Sequence, residues 1–348
     1  MSSGLHGEPK ILVVGATGKQ GQAFIRALTR GPGEPPLFPV RVLALTRYPN
    51  SPRALALQKN RPWLELVRGN LDSRDSIKQV FVHAGGKGAI WGMFVVLAFA
   101  GLGESTEGEA VQGITLADLA LHYGVSMFVY SSVHRGETDD DSELILPEHS
   151  GKVKIERHLQ SLGEQGLHWT IVRPVQLMET YEGTIGKLSM TVFRAGLKKD
   201  VKMRMVAVDD IGLVVALLFQ RPIGVAYKIL VVTSVDLTIP EQEAAYKRGT
   251  GKRMPTYPRI LGKFILAINT VTRDVVEYVE TLYRHRSDNT ELFEEHIANT
   301  HAILPASQMI TFEEWAARNE RRKKRKKRPD DGSDWNRISL AKIFTGRL

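Results

Sequence analysis

Cysteine is absent from the 348 residues of this chain. Disulfide bonds, metal sites built on thiolates and cysteine nucleophiles are therefore excluded, and the composition fits a reducing compartment. Apolar runs long enough to cross a bilayer are also missing, because the longest, residues 90–102, is too short and is better interpreted as a buried strand. The polar start MSSGLHGEPK lacks the apolar stretch of a secretory signal. We therefore expect neither secretion nor a membrane partner.

Most of the positive charge lies in one short segment. The formal net charge is +9, and the run RRKKRKKR at residues 321–328 supplies eight of those charges. The rest of the chain is close to neutral, so the charge says little about the main binding site. Such a run can be a nuclear import signal, can hold a polyanion without sequence preference, or can be a solvated tail. No zinc-finger or helix-turn-helix pattern accompanies it, so direct sequence-specific binding of nucleic acid is not expected.

Short apolar runs alternate with helix-period segments through the first half of the chain. The runs are continuous, which is typical of strands buried on both faces of a parallel sheet. The predicted strands cover residues 10–14, 40–45, 63–67, 91–99, 126–131 and 169–172, and the predicted helices cover 18–29, 53–59, 73–83, 107–123 and 148–162. Repeated β-α units with right-handed crossovers predict an α/β fold with a doubly wound parallel sheet.

The pattern loosens after Pro174. Residues 175–315 mix helices with short strands such as 227–232, and we interpret them as a smaller mixed α/β lobe over the carboxyl edge of the sheet. Residues 317–333 are polar and charged, which favours a mobile segment, whereas 334–348 regain apolar character that suits a short docked helix. The predicted divisions are a domain over 1–174 with its core at 9–174, a substrate or partner lobe over 175–316, and a basic tail over 317–348.

Glycines recur at a spacing of three directly after the first predicted strand, as Gly15, Gly18 and Gly21 in GATGKQG. The first lets the backbone turn sharply, the second lets it approach a pyrophosphate, and the third lets the helix pack closely against the strand. The start of the helix then offers free N–H groups and a partial positive charge to phosphates. Because five more βα units follow, the motif predicts a Rossmann dinucleotide site and not a plain βα turn.

The second predicted strand ends at Arg47, where NAD-preferring sites usually carry an acidic residue. A guanidinium group suits a 2′-phosphate, so the sequence favours NADP(H); a solvated surface arginine is the alternative. The loop after the third strand holds Asn70 and Asp72. Asn70 could bond the adenine, although a turn or helix-cap role for either residue is an equal alternative.

The acid–base pair Tyr-x-x-x-Lys of short-chain dehydrogenases is missing, because no tyrosine has a lysine four positions on. Ser131 and Ser132 end the fifth predicted strand, where such enzymes often place a substrate-orienting serine. Lys152 shares a predicted helix face with apolar residues, so it points toward the sheet and needs a partner such as a cofactor ribose; a snorkelling surface lysine is the alternative. Glu148 occupies the place of the tyrosine, and His149 is one residue out of register.

Several segments together carry a resemblance to a known family. They are ILVVGATGKQGQ at 11–22, LTRYPNS at 45–51, GITLADLALHYGVSMFVYSS at 113–132, GKVKIE at 151–156, WTIVRPVQLME at 169–179, MVAVDDIG at 205–212 and ITFEEW at 310–315. By these segments and their order along the chain, the sequence resembles the NmrA-like proteins. They are a branch of the atypical short-chain dehydrogenases that includes fungal nitrogen-metabolite regulators and NADPH sensors. The resemblance does not cover the basic tail beyond Trp315.

The resemblance implies one NADP(H) site, and no metal. The pyrophosphate would lie against Gly15, Ala16, Thr17, Gly18, Lys19, Gln20 and Gly21, and the 2′-phosphate against Arg47. Asn70 and Leu71 would lie by the adenine, and Leu97, Ala98 and Phe99 by the ribose. Lys152 would bond the nicotinamide ribose, and the nicotinamide would be flanked by Gln176, Leu177, Met178 and Glu179.

Two functions from different classes remain open. The first is a non-catalytic, NADP(H)-responsive regulator that acts through a protein partner such as a transcription factor, in the cytoplasm, the nucleus or both. The missing tyrosine supports it, and the sequence slightly favours it. The second is an NADPH-dependent reductase of a small carbonyl, quinone or enone, in which Lys152 alone serves in acid–base work, as in proteins that resemble isoflavone reductases.

Overall fold

The computed structural model describes residues 8–31, 33–98, 105–136, 146–287 and 290–325. Its ten strands are β1 Lys10–Val14, β2 Arg41–Thr46, β3 Leu64–Arg68, β4 Ile90–Val95, β5 Met127–Ser131, β6 Trp169–Pro174, β7 Gln176–Leu177, β8 Lys202–Val206, β9 Lys228–Val232 and β10 Val235–Thr238. The helices of the first half are α1 Lys19–Ala27, α2 Pro52–Gln58, α3 Arg74–His83, α4 Glu107–His122 and α5 Ser150–Gly163. Those of the second half are α6 Gly183–Gly196, α7 Val208–Gln220, α8 Ile239–Thr250, α9 Arg259–Ile268, α10 Thr270–Arg284, α11 Thr290–His301 and α12 Phe312–Arg325.

The central sheet has seven parallel strands in the order β3-β2-β1-β4-β5-β6-β9. Each strand buries side chains on both faces: in β1, Ile11 and Val13 enter one apolar cluster while Leu12 and Val14 enter the other. That double burial is why the sequence shows continuous apolar runs instead of alternation. The predicted doubly wound α/β fold is thus confirmed, and β4 ends at Val95, earlier than the predicted 99.

The second half of the chain does not form a separate lobe throughout. Residues 227–232, assigned from the sequence to the smaller lobe, instead supply β9, which pairs with β6 and completes the main sheet. The reason is visible in KILVV, an apolar run like those of the other central strands. Helix α7 likewise packs on α1 so closely that a Cβ on Gly212 would lie 2.4 Å from the carbonyl carbon of Ala23. The predicted division into domains stays a prediction.

The remaining elements form a smaller layer around a three-stranded sheet. Strand β8 pairs antiparallel with β10 and parallel with β7, and a third apolar cluster fills the space between this sheet and helices α6, α8, α9 and α12. Helix α12 continues to Arg325, so residues 317–325 are helical where the sequence predicts the start of a mobile tail. Residues 326–348 lie outside the described residues. Within the described part, no helix is both long and apolar enough to cross a membrane.

Candidate functional site

The glycine loop between β1 and α1 is shaped for close approach. Gly15 has a positive φ of +78°, and a Cβ there would lie 2.4 Å from the carbonyl oxygen of Val96. A Cβ on Gly21 would lie 2.4 Å from the carbonyl oxygen of Gly15, so the third glycine lets α1 pack on the turn, as the spacing predicts. The N–H of Gly18 donates to the Gly15 carbonyl over 2.9 Å and closes the turn.

Helix α1 begins at Lys19 without a side-chain cap on its first amides. Those N–H groups therefore remain available to an anion, and the helix dipole favours one. The Gln22 amide donates to the Thr17 carbonyl over 2.7 Å and braces the loop. Lys19 Nζ lies 2.6 Å from Glu182 Oε2, which joins the start of α1 to the segment that precedes α6.

Arg47 follows β2 on the same edge of the sheet. Its side chain is exposed, lies 5.9 Å from the ring centroid of Tyr48, and makes no ion pair in the described part of the chain. The loop after β3 shows the turn role of Asn70, because its Oδ1 accepts from the Asp72 amide over 3.3 Å. The backbone N–H of Asn70 donates to Ser76 Oγ over 3.0 Å, and Leu71 packs against an apolar cluster of the sheet.

The carboxyl ends of β4 and β5 lie beside the glycine loop. Ser131 Oγ donates to Gln20 Oε1 over 2.7 Å, so the position of a substrate-orienting serine is tied to the predicted phosphate site. Leu97 is buried and Ala98 is exposed after β4. Phe99, predicted to lie by the ribose, is outside the described residues.

Lys152 is 9% exposed and points inward, as its helix face predicts. Its partner is the carboxylate of Glu109 on α4, which is 5% exposed. Helices α4 and α5 lie close enough for this pair because Gly113, one turn after Glu109, has no side chain. A Cβ on Gly113 would lie 2.4 Å from Ile155 Cδ1 on α5. Lys152 thus has a buried counter-ion within the chain, whereas the sequence suggested a coenzyme ribose.

A buried charged trio stands behind this pair. Glu156 accepts from Arg173 Nη2 over 2.6 Å, from Arg173 Nε over 3.2 Å and from Arg135 Nη2 over 2.7 Å. All three side chains are almost fully buried. Burial alone would raise the pKa of Glu156, but Arg173 and Arg135 outweigh it and lower that pKa to about 2. Glu156 is therefore ionised at neutral pH.

The four residues predicted to flank the nicotinamide have varied surroundings. Gln176 and Leu177 form β7, and Met178 is fully buried. Glu179 turns its carboxylate toward the C-terminal part of the chain: Oε1 accepts from Trp315 Nε1 over 3.1 Å, and Oε2 accepts from the Val208 amide over 3.0 Å. Burial raises the pKa of Glu179 to about 7. This carboxyl thus connects the starts of α7 and α12.

Two histidines near the trio are neutral. Burial, followed by the charges of Lys152 and Arg135, lowers the pKa of His149 to about 4. Burial and a set of arginines led by Arg204 also lower the pKa of His134 well below its usual value. Neither histidine can serve as a cationic group at neutral pH. The structure describes no cluster of histidine and acidic residues suited to a metal ion.

Sequence reasoning missed Glu109, Arg135 and Tyr278, which surround Lys152 and His149. Tyr278 lies far along the chain on α10, and its ring stands 5.7 Å from that of His149, edge to face. The one available signal for Glu109 was the inward lysine itself, since a buried ammonium requires a counter-charge. The other two residues carry no pattern of their own.

Comparison with known proteins gives consistent results. A model of the NmrA-like family matches residues 7–316. An NmrA-like family domain-containing protein of Dictyostelium discoideum is 24% identical over 238 residues, which make up 66% of this chain and 73% of that protein. The structure of NmrA, a negative transcriptional regulator, in complex with NAD superposes with a TM-score of 0.62 at 18% identity, over 90% of this chain and 95% of its own. Citrobacter sp. triphenylmethane reductase complexed with NADP(H) superposes with a TM-score of 0.61 at 14% identity, over 89% of this chain and 99% of its own.

Proposed function

This chain belongs to the NmrA-like family, and we propose that it binds NADP(H) and acts as a coenzyme-responsive regulator through a protein partner. The observation that carries the proposal is the contrast between the two halves of the site. The half predicted to hold phosphates has a tight glycine loop and an uncapped helix start, which supports that assignment. In the catalytic half, Glu148 stands in place of the tyrosine and Lys152 is paired with Glu109.

The residues present fit the coenzyme. Gly15 and Gly21, where a Cβ would collide with backbone atoms, let β1 turn sharply into α1, and Gly18 would bring bare backbone to a pyrophosphate. Gly18 and the first amides of α1 would hold the phosphates, and Arg47 would hold a 2′-phosphate. When bound, NADPH supplies a hydride donor at this position. Structures of similar fold with NAD and with NADP(H) bound support a nicotinamide coenzyme here.

Titration calorimetry with NADPH, NADP⁺, NADH and NAD⁺ tests the coenzyme assignment. Arg47→Asp should weaken NADPH binding about tenfold or more, because charge-assisted hydrogen bonds to the 2′-phosphate contribute roughly 1.5–3 kcal/mol, and should spare NADH. Arg41→Asp makes the same charge change at the opposite end of β2 and should leave both affinities unchanged. No heat with any of the four coenzymes would end the proposal, and an unchanged preference in Arg47→Asp would end the NADP assignment.

The regulatory role predicts binding without turnover. The Lys152 ammonium is paired with the buried carboxylate of Glu109, so it is directed at a side chain of the protein and not at a substrate. The two coenzyme redox forms should therefore stay chemically unchanged while they alter the protein differently. Hydrogen exchange of the NADP⁺ and NADPH complexes measures this, and identical exchange in both complexes would contradict a redox-responsive regulator.

A reductase is the second candidate, favoured by the hydrogen bond between Ser131 and Gln20, which places a hydroxyl next to the loop that would hold the coenzyme. NADPH consumption with a panel of quinones and enones distinguishes the two functions. The double variant Lys152→Met/Glu109→Leu removes both members of the pair and leaves no lone buried charge. Turnover by the natural chain that disappears in this variant would establish the reductase and overturn the non-catalytic regulator.

The basic run at 321–328 supports a nuclear component of this role. Arg321, Arg322, Lys323 and Lys324 are exposed on α12, where an import receptor could reach them. Truncation after residue 320, followed by imaging of the tagged chain, should remove the nuclear fraction. A distribution equal to that of the full chain would remove the nuclear role proposed for the basic run.

A further inference from the structure

Three polar side chains outside the predicted site meet beside Lys152, and we call them the Arg135 cluster: Arg135 after β5, His149 before α5, and Tyr278 on α10. Each comes from a different element of the fold. None of them is needed by the coenzyme proposal, and none is part of a sequence pattern. Their joint position therefore calls for its own explanation.

The cluster presents buried polar atoms that have no hydrogen-bond partner in the described part of the chain. They are Arg135 Nε and Nη1, the Tyr278 hydroxyl and His149 Nδ1. Arg135 is 5% exposed, and one of its three nitrogens is bonded, through Nη2 to Glu156. Buried donors are nearly always paired in folded proteins, because an unpaired one forfeits its bond to water. Several such atoms at one place indicate a polar ligand site.

Contacts between the three elements fix this arrangement. Gly136, which follows Arg135, has φ +105°, and a Cβ there would lie 3.2 Å from Leu282 Cδ2. Leu282 is one turn after Tyr278, whose ring stands edge-on to that of His149 at 5.7 Å. His149 caps α5, three residues before Lys152. Tyr278 and His149 are half-buried, and the Tyr278 hydroxyl and His149 Nδ1 are themselves buried.

The charges around the cluster favour an anion. Two guanidinium groups, Arg135 and Arg173, share the single carboxylate of Glu156, and Lys152 has Glu109 for itself. Arg135 keeps two nitrogens, Nε and Nη1, that have no hydrogen-bond partner in the described residues, and donors on a cation favour a negatively charged acceptor. Glu148, which is buried in the same region and acts electrostatically on Tyr278, opposes an anion from the other side.

We propose that the Arg135 cluster binds the carboxylate of a small organic acid, with Arg135 and Tyr278 as hydrogen-bond donors and the rest of the molecule directed toward Lys152. Carboxylates accept such bonds in a charge-assisted form, about twice as strong as neutral ones. The inference rests on the proposed function for one point alone, that the acid lies next to a coenzyme. The acid is an effector if the protein is a regulator and a substrate if it is a reductase.

The test uses benzoate and acetate as probes, each against its amide, with the full chain and no coenzyme. Calorimetry should show each acid binding at least about tenfold more tightly than the amide of the same shape, since the hydrogen bonds to the charged group are lost in the amide. Tyr278→Phe should weaken benzoate binding about tenfold. It removes a hydroxyl that has no partner in the described chain, so the variant should fold as stably as the natural protein.

Two further variants predict the direction in which benzoate affinity changes. Tyr283→Phe is the same substitution on the same helix, and it should leave benzoate binding unchanged. Glu148→Gln removes the opposing charge and should strengthen benzoate binding several-fold. Weaker binding in Glu148→Gln, equal binding of acid and amide, or natural affinity in Tyr278→Phe would each overturn the proposal.

Failure of this inference is distinguishable from failure of the proposed function. Benzoate binding with the expected variant pattern, but no heat with any nicotinamide coenzyme, would retain the acid site and remove the coenzyme proposal. Coenzyme binding together with equal affinities for acid and amide would retain the coenzyme proposal and remove the acid site.

Discussion

The buried trio of Glu156, Arg135 and Arg173 gives a prediction with a size that can be worked from the structure. The change is Glu156→Gln, which keeps the side chain's shape and removes the charge that both guanidinium groups share. Glutamine keeps one oxygen, which can accept two of the three hydrogen bonds, but its NH₂ group faces a donor and cannot accept the third. The variant therefore removes the buried carboxylate that Arg135 and Arg173 share.

The lowered pKa of Glu156 gives the magnitude. Its usual value is 4.5 and the folded value is about 2, so at roughly 1.4 kcal/mol per pKa unit the ionised form stabilises the fold by about 3 kcal/mol. Breaking a buried ion pair by removing one partner costs about 3–5 kcal/mol, which agrees. Because the folded pKa lies below the unfolded one, this contribution is complete above pH 4.5 and disappears as the pH falls toward 2.

Urea unfolding at pH 7 measures the loss. Glu156→Gln should lower the free energy of unfolding by about 3–5 kcal/mol. Glu107→Gln is the matched control, because Glu107 pairs with Lys154 on α5, the helix that carries Glu156, but both side chains of this pair are more than half exposed. The control should lose about 0–1 kcal/mol. Equal losses in the two variants, or an acid-unfolding profile in Glu156→Gln that parallels the natural one below pH 4.5, would refute the reasoning.

Other outcomes follow from the same contacts. Gly21→Ala would place a Cβ 2.4 Å from the Gly15 carbonyl oxygen, so overpacking should destabilise the protein by about 1–3 kcal/mol and weaken NADPH binding; unchanged calorimetry would contradict the loop assignment. Glu179 has a folded pKa of about 7 against a usual 4.5. The free energy of unfolding of the natural protein should therefore fall by up to about 3 kcal/mol as the pH rises through that range, whereas that of Glu179→Gln should not. Melting profiles that change with pH in parallel would contradict this. The double variant Lys152→Met/Glu109→Leu should lower the free energy of unfolding by less than about 1 kcal/mol or raise it, whereas Lys152→Met alone should lower it by several kcal/mol. Similar melting temperatures for the single and the double variant would argue against a coupled pair.

The sequence predicts the fold well where the structure of a helix, strand or turn is determined by the residues within it. The continuous apolar runs of the first six strands and the glycine loop are local signals, and they identify the sheet and its first crossover. Strand β9 was assigned to the wrong layer, since the partner of KILVV is set by long-range pairing with β6 and not by its own pattern. The helical course of residues 317–325 has a similar cause, because Arg322 is held by Asp209 on α7.

The candidate site divides in the same way. Gly15, Gly18 and Arg47 could be singled out because backbone shape and strand position favour the roles predicted for them. The surroundings of Lys152 could not, because Glu109 and Tyr278 reach it from helices 43 residues before it and far beyond it along the chain. A charge pattern in one dimension does not indicate which carboxylate will meet which cation once helices pack.

The buried charges beside the proposed coenzyme cleft bear on function more than on stability. An ion pair that is removed from water recovers little more than its desolvation cost, and apolar residues of similar size would often hold the helices at least as well. The pair of Lys152 with Glu109 and the trio around Glu156 are therefore an expensive way to pack α4, α5 and β6 together. What such a layer provides, and an apolar one could not, is a fixed field and oriented donors at the carboxyl end of the sheet, where doubly wound folds bind their ligands. The unpartnered atoms of Arg135 and Tyr278 lie at this end, which is the physical reason to look for a second, acidic ligand there.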